Sequence, residues 1–309
     1  MDETVNLIGI VTVTFNSARV IDGFLTSLIA QDFSSFRLYI VDNASVDDTA
    51  EHIAKFKDDR IVTIRNMRNL GVAEGNNIGI RSALADKCDF VLLINNDTEF
   101  GTDLLREMIK GIYEHDWQMV VPKILYFDQP TRIWAAGGYF SVMRGSARHF
   151  GSNELDSPSF DEARAVDYSP TCCMLIQGEV FNKVGFMDSR YFVYFDDTDF
   201  CFRARKKGVR LGYIPSARLL HKVSSLTGPE SLFTIRYSIR NHVYYILKNF
   251  PSWRAIVYLP ALQMHVLFKS IFVFRAWQAL ITAEKAFVEG LQLFSAASST
   301  TRPNLRLTD

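Results

Sequence analysis

Phe90-Val91-Leu92-Leu93-Ile94 is an unbroken apolar run, bounded by Asp89 before it and by Asn95-Asn96-Asp97-Thr98 after it. Such a run reads as a strand buried on both faces, the pattern of a central parallel strand. Around it the chain alternates strand-like and helix-like segments. Ile8 to Thr14 predicts a first strand, and Ser17 is placed to cap a helix whose apolar positions Val20, Ile21, Phe24, Leu25, Leu28 and Ile29 share one face. Arg37 to Val41 predicts a second strand, Asp47-Asp48-Thr49 opens a helix toward Phe56, and Ile61 to Ile64 predicts a third strand. After the central strand come a helix carrying Leu104, Leu105, Met108, Ile109 and Ile112 and a fifth strand from Gln118 to Val121, ended by Pro122. Parallel neighbours need crossover helices, so this order predicts an α/β fold with a doubly wound, mainly parallel sheet.

From Tyr126 to about Pro170 the periodicity loosens around Gly137-Gly138, Gly145, Gly151 and Pro158, which predicts loops and short antiparallel strands over the sheet edge. Cys173 to Gln177 predicts another strand, Thr198 to Lys207 a helix stopped by Gly208, and Leu211 to Ile214 and Leu219-Leu220-His221 short strands. Tyr237 to Phe294 is helical in composition. Ala255 to Phe274 is apolar but interrupted by Pro260, Gln263, His265 and Lys269, which suits an interfacial helix with peripheral membrane contact. A helical subdomain or the interface of a homo-oligomer is the equal alternative. Ser295 to Asp309 reads as a disordered tail. The domains expected are residues 1–125, 126–228 and a C-terminal helical extension over 229–309.

Composition narrows the function classes. In 309 residues Lys+Arg and Asp+Glu are each 34, so nothing marks a global nucleic-acid binder. Cys88, Cys172, Cys173 and Cys201 have no CxxC spacing and no paired His to complete a zinc site, which suits a reducing compartment. Met1-Asp2-Glu3-Thr4 is acidic and runs into a strand without a visible signal peptide. The expectation is a cytoplasmic protein or one on the cytosolic face of a membrane.

Polar residues recur at strand exits: Asn16, Asp42-Asn43 and Asn95-Asn96-Asp97. Open α/β sheets bind ligands beyond the carboxyl ends of their strands, so these are candidate binding positions; local turns and caps are the bland reading. Asp97 suits Mg2+ or Mn2+, hard cations that take oxygen ligands and commonly share a phosphate. Asp42 suits a base or ribose hydrogen bond. Asp196-Asp197-Thr198-Asp199, flanked by Tyr194, Phe195 and Phe200, could supply a general base, because desolvated and mutually repelling carboxylates have raised pKa values. One of the three acids is expected to do no more than cap the helix. His221 could join a metal or phosphate, and Arg68 could contact phosphate or simply face solvent. Tyr191, Phe192, Tyr194 and Trp134 are candidates for an acceptor platform, with core packing the expected role for at least half of them.

Val13-Thr14-Phe15-Asn16, Val41-Asp42-Asn43-Ala44-Ser45, Asn69-Leu70-Gly71 with Gly75-Asn76-Asn77-Ile78-Gly79, Leu93-Ile94-Asn95-Asn96-Asp97-Thr98 and Phe195-Asp196-Asp197-Thr198-Asp199-Phe200-Cys201 come in the order seen in inverting family 2 glycosyltransferases. From Ile8 to about Asn249 the chain resembles their rhamnosyltransferase-like branch. The resemblance implies a GT-A fold, a nucleotide-diphosphate sugar donor, a divalent metal (Mg2+ or Mn2+) and a glycan or lipid-linked acceptor in cell-surface or cell-wall polysaccharide synthesis. By position, Asp42 resembles the nucleoside-binding acid, with Thr14 and Asn16 in the same pocket and Asn43, Arg68, Gly71, Asn76 and Asn95 among the donor-binding motifs. Asp97 matches the metal-binding acid, and Asp197 the catalytic base with Asp196 beside it. His221, followed by Ser224 and Ser225, resembles the histidine that helps hold the diphosphate and metal. The chain departs from the family at Asn95, where the DxD signature loses one carboxylate, and at Asp196, where a Glu is usual.

Two other classes share part of this pattern. A sugar nucleotidyltransferase would need a Gly-rich, basic phosphate loop after the first strand, and Thr14-Phe15-Asn16-Ser17 is not one. A non-catalytic nucleotide-sugar-binding or scaffold protein would tolerate loss of the acids, which are present in both clusters. No GxGxxG follows a strand, so an oxidoreductase is not expected.

Overall fold

The computed structural model describes residues 6–141, 143, 145–223, 231–269 and 277–300. It divides into two compact units, one of Met1–Phe140 with Ala147–Leu226, the other of Ser141–Ser146 with Thr227–Asp309.

The first unit opens with β1 (Ile8–Thr14), α1 (Ile21–Ile29), β2 (Phe36–Asp42), α2 (Thr49–Ala54), β3 (Ile61–Arg65), α3 (Gly71–Ala85) and β4 (Phe90–Ile94). It continues with β5 (Thr98–Phe100), α4 (Leu104–His115), β6 (Met119–Tyr126), β7 (Ile133–Ala135), β8 (Gly138–Ser141), β9 (Ser146–His149), β10 (Arg164–Val166), β11 (Cys173–Gln177), α5 (Glu179–Val184), α6 (Asp196–Lys206) and β12 (Leu211–His221). The main sheet runs β10-β12-β6-β11-β4-β1-β2-β3, with β5 added beside β12 and β7 beside β6. β4, β1, β2 and β3 pair in parallel, whereas β11 enters antiparallel between β4 and β6.

Alternation along β4 shows why the sheet needs both helical layers. Phe90, Leu92 and Ile94 pack with Phe24, Leu25 and Leu28 of α1 and Leu105 and Met108 of α4. Val91 and Leu93 pack on the other side with Ala73, Ile80 and Ala83 of α3 and Phe200 of α6. A strand buried on both faces cannot alternate apolar with polar, hence the unbroken run. α3 lies close against β1 because it carries glycine there: a Cβ on Gly79 would fall 2.3 Å from Val11 Cγ1.

Three boundaries differ from the sequence pattern. β6 continues through Pro122, which stands opposite Ile214 where the β6–β12 register shifts before Arg218; a residue without an N–H is tolerated at such an irregularity. The two short segments at 211–214 and 219–221 are one strand, β12, carrying that bulge. Ser17 does not cap α1 with its side chain. Its carbonyl accepts from Val20 and Ile21, while its Oγ accepts from the Phe15 amide at 3.2 Å.

The second unit holds α7 (Leu232–Asn249), α8 (Ser252–Lys269) and α9 (Trp277–Thr300). Ser231 caps α7 by accepting from Thr234 N at 3.2 Å. No helix among the described residues is long and apolar enough to cross a membrane. The tail expected from Ser295 onward is helical to Thr300, and residues 301–309 lie outside the described ones.

Candidate active site

Thr14, Asp42 and Arg65 stand side by side at the ends of β1, β2 and β3 because the three strands are in parallel register. Thr14 Oγ1 donates to Asp42 Oδ1 at 3.0 Å, and Ser45 Oγ donates to the same oxygen at 2.5 Å. Asp42 Oδ2 accepts from the Ser45 amide at 3.2 Å and faces Arg65 Nε at 3.8 Å. The carboxylate is therefore fixed in orientation while Oδ2 keeps acceptor capacity toward a ligand.

Asn16 and Asn43 brace this floor. Asn16 is left-handed at φ 52°, a conformation asparagine tolerates, and its Oδ1 accepts from Val46 N at 2.9 Å. Asn43 Nδ2 donates to the Gly71 carbonyl at 3.0 Å, and its Oδ1 accepts from Asn66 at 2.8 Å.

The Gly71–Gly79 motif makes structural contacts with the 187–195 loop. Gly71 adopts φ 82° against Phe192, where a Cβ would meet the Phe192 carbonyl oxygen at 2.4 Å. That carbonyl accepts from the Val72 amide at 2.6 Å at the start of α3. Asn76 Nδ2 reaches Met187 Sδ at 3.7 Å, and Asn77 exchanges hydrogen bonds with the Met187 backbone in both directions. Gly71 and Asn76 thus fasten the 187–195 loop to α3, and Arg68 is exposed on the preceding loop.

β5 and β12 bring Asp97 to His221. Thr98 is the register partner of His221, and the Lys222 amide donates to the Asp97 carbonyl at 2.9 Å. Asp97 Oδ1 and His221 Nε2 then stand 3.3 Å apart, both largely buried. Burial by itself favours neutral imidazole, but Cys172 and the Asp97 carboxylate outweigh it and raise the His221 pKa to about 10. Asn95 donates its amide to the Cys172 carbonyl at 2.9 Å, and Asn96 Nδ2 donates to the Val13 carbonyl at 2.5 Å. Ser224 and Ser225 lie outside the described residues.

Among the described residues no group of three or more His, Cys, Asp or Glu side chains is arranged to hold a metal ion. The Asp97–His221 pair nevertheless suits two ligands of one ion, whose binding would displace the imidazole proton. Adjacent ligands of an octahedral cation lie about 3 Å apart when each bond is about 2.1 Å, and Mg2+ habitually takes its remaining ligands from phosphates and water.

The second acidic cluster opens α6. Phe192, Tyr194 and Phe195 all have positive φ, at 66°, 63° and 67°, a strained approach of the kind concentrated at functional sites. The strain turns Asp196 and Asp197 into the first turn of the helix. Asp199 is the structural member: Tyr191 donates to it at 3.2 Å and Arg203 at 2.7 Å. Tyr191 is fully buried in that contact, so it is core and not acceptor platform. Burial, then the Asp197 charge, raises the Asp196 pKa to about 8, and its Oδ2 is buried with no hydrogen-bond partner. Burial also raises Asp197, against hydrogen bonds from Thr198 N at 2.5 Å and Tyr168 OH at 3.1 Å. Two neighbouring buried carboxylates repel each other's charge, so one of them keeps a proton more readily. The donors on Asp197 favour its charged form, so Asp196 carries the proton.

This makes Asp196 a stability liability with a defined sign. Its folded pKa lies above the unfolded value of about 3.9, so stability falls as pH rises from about 4 to about 8. Asp196→Asn, which mimics the protonated acid, is expected to gain Tm relative to the parent across that window, with the gap widest at the alkaline end. A pH series of thermal melts checks it, and a gap that narrows toward pH 8 contradicts it.

A row of rings links the two clusters. Trp134 meets His221 at 4.5 Å between centroids and His149 at 5.1 Å, both edge to face. His149 meets Tyr168 at 5.6 Å, and Tyr168 holds Asp197. Burial lowers the His149 pKa, and its Nδ1 faces the Trp134 carbonyl at 3.3 Å. His149, Tyr168 and Arg65 escaped the sequence pattern. The first two lie in the stretch without periodicity, and Arg65 gains meaning only from the strand order.

The model of "Glycosyl transferase family 2" matches residues 9–178, over half of the chain. The chain belongs to that family. Among curated relatives, the low-salt glycan biosynthesis hexosyltransferase Agl10 of Haloferax volcanii is 24% identical over 213 residues, 65% of this chain and 64% of that protein. The N-acetylglucosaminyl-diphospho-decaprenol L-rhamnosyltransferase of Mycobacterium tuberculosis is 22% identical over 242 residues, 73% of this chain and 79% of that protein. The crystal structure of GalNAc-T7 with UDP, GalNAc and Mn2+ resembles this fold with a TM-score of 0.66 at 14% identity, over 98% of this chain and 59% of that one. The family 2 transferase has a mixed, mostly parallel sheet similar to that of GT-A glycosyltransferases, and C-terminal helices are present in its second unit.

Proposed function

We propose that this family 2 transferase is an inverting enzyme that moves a sugar from a nucleotide-diphosphate donor to a hydroxyl of a glycan or lipid-linked acceptor in polysaccharide synthesis. The observation that carries the reading is the row Asp97–His221–Trp134–His149–Tyr168–Asp197, which joins a pair suited to a cation and phosphate to a carboxylate suited to accept a proton. A nucleotidyltransferase has no use for a partly protonated acid pair beyond its phosphate site, and a scaffold has no use for either end.

Asp42, oriented by Thr14 and Ser45, binds the nucleoside, and Asn16 and Asn43 hold the walls of its pocket. Asp97 and His221 would hold a Mg2+ or Mn2+ ion, which would supply charge stabilisation to a departing diphosphate. Asp197 accepts the proton of the acceptor hydroxyl. The new glycosidic C–O bond forms on the face of the anomeric carbon opposite the diphosphate, whose C–O bond breaks with its electron pair leaving on the phosphate oxygen. Tyr168 and Thr198 keep Asp197 oriented and Asp196 carries the neighbouring proton, so that a single negative charge faces the acceptor. L-rhamnose, the sugar in the name of the Mycobacterium tuberculosis relative, is the donor sugar to test first, with a lipid-linked glycan reached from the cytosolic face as acceptor.

The test is proton NMR of the product formed from a donor of known anomeric configuration. The inverted anomer supports the reading, and a retained one overturns the role of Asp197.

A further inference from the structure

Among its described residues the second unit presents an apolar surface that their packing leaves uncovered. Its three helices bury Ile235, Val266, Ala279 and Ala283 among themselves. α8 also turns Trp253, Ile256, Val257, Pro260 and Met264 to solvent, with Ile256 73% and Met264 68% exposed. Their spacing of i, i+3, i+4, i+7 and i+11 places them on one face of the helix. No Lys, Arg, Asp or Glu stands among the exposed described positions of α8. α9 exposes Trp277, Ile281 and Val288 in the same manner.

Charge says what covers this face. Residues 227–309 hold nine Lys and Arg against four Asp and Glu, a net +5 in a chain whose total is zero. Both acids of α9 are engaged within the unit: Glu289 pairs with Arg236 at 2.9 Å, and Glu284 accepts from Gln263 at 2.7 Å. Arg254 lies 5.0 Å from the ring of its neighbour Trp253, a guanidinium beside an exposed indole at one end of the apolar face. A second copy of the chain would bring two units of the same sign together over a face with no charged residue to match them.

We infer that α8 is a docking face for an anionic lipid surface, lying in the headgroup plane with Trp253, Ile256, Val257 and Met264 inserted and Arg254 at the phosphates. Amphipathic helices with a basic surround and no spanning length bind bilayers in this way, by apolar insertion and attraction to anionic lipid together. The inference stands on the second unit alone and goes beyond the reaction.

The experiment is co-sedimentation of the full chain with vesicles of phosphatidylcholine alone and of phosphatidylcholine mixed with phosphatidylglycerol. The parent protein is expected to pellet with the anionic vesicles and to be released by raised salt. An Ile256→Glu, Met264→Glu double variant is expected to lose binding by about tenfold or more. Both positions are exposed, so its thermal melt and nucleotide-sugar titration are expected to match the parent, which separates failure here from failure of the transferase reading. Should the variant not fold, quenching of the parent's tryptophan emission by brominated lipid reports insertion directly. Absence of pelleting and of quenching in a folded parent overturns the inference. So does vesicle binding by a folded variant equal to the parent's. A parent dimer in light scattering that the variant dissociates also overturns it, and makes the face a contact between copies.

Discussion

Asp197→Asn is expected to bind donor as the parent does and to lose turnover by about 10²- to 10⁴-fold, the range a positioned proton acceptor contributes. The substitution keeps the size of the side chain, and its amide can still meet Tyr168 and Thr198, so the fold is expected to hold. What disappears is the acceptor for the hydroxyl proton. Asp196→Asn is the informative control, because Asp196 already carries the proton and its amide analogue changes little electrically. It is expected to keep most of the activity. Single-turnover rates of the two variants at pH 7 and pH 8 decide the matter. Loss in Asp196→Asn with activity kept in Asp197→Asn would reverse the two assignments.

Asp97→Ala is expected to weaken donor binding in Mn2+ by roughly 100-fold or more, since even an outer partner of a metal ligand can cost that much. In EDTA the variant and the parent are expected to bind nearly alike, because the carboxylate then has no ion to hold. The variant also takes away the carboxylate facing His221 at 3.3 Å, so His221→Ala serves as its companion. If both act through one ion, their effects in Mn2+ overlap instead of adding. Equal Mn2+ dependence in the parent and Asp97→Ala would remove Asp97 from the cation site.

β4, α1 and α4 were legible because each carries its own period: five apolar residues in β4, and a one-sided stripe in α1 and α4. Strand-exit positions such as Asp42 and Asp97 were legible for the same reason, since the end of an apolar run marks the end of a strand. The insertion of β11 between β4 and β6 was not legible, because strand order is a long-range property that no local pattern carries. The site divides along the same line. Asp42 and Asp97 announce themselves by position, whereas His149 and Tyr168 are ordinary residues of an irregular stretch until folding sets them between Trp134 and Asp197. The glycines and asparagines of the Gly71–Gly79 motif illustrate the opposite case. Their pattern is conspicuous in the sequence, yet Asn76 and Gly71 fasten the 187–195 loop and Gly79 lets α3 approach β1. Those contacts tie the motif to the loop that leads into Asp196 and Asp197.

The Asp47 side chain shows why acid-rich turns deceive in sequence. It accepts from Thr49 N at 3.2 Å and from Thr49 Oγ1 at 2.5 Å, a local cap at the start of α2, although it lies only five residues beyond Asp42. Asp199 plays a comparable structural part beside Asp197 through Tyr191 and Arg203.

The most direct test of the account is calorimetric titration of UDP-, dTDP- and GDP-sugars into the purified protein, in Mn2+ or Mg2+ and again in EDTA. The account predicts that one nucleotide class binds, that EDTA weakens it, and that Asp42→Ala removes it. A folded protein that binds none of the three in the presence of metal would contradict it.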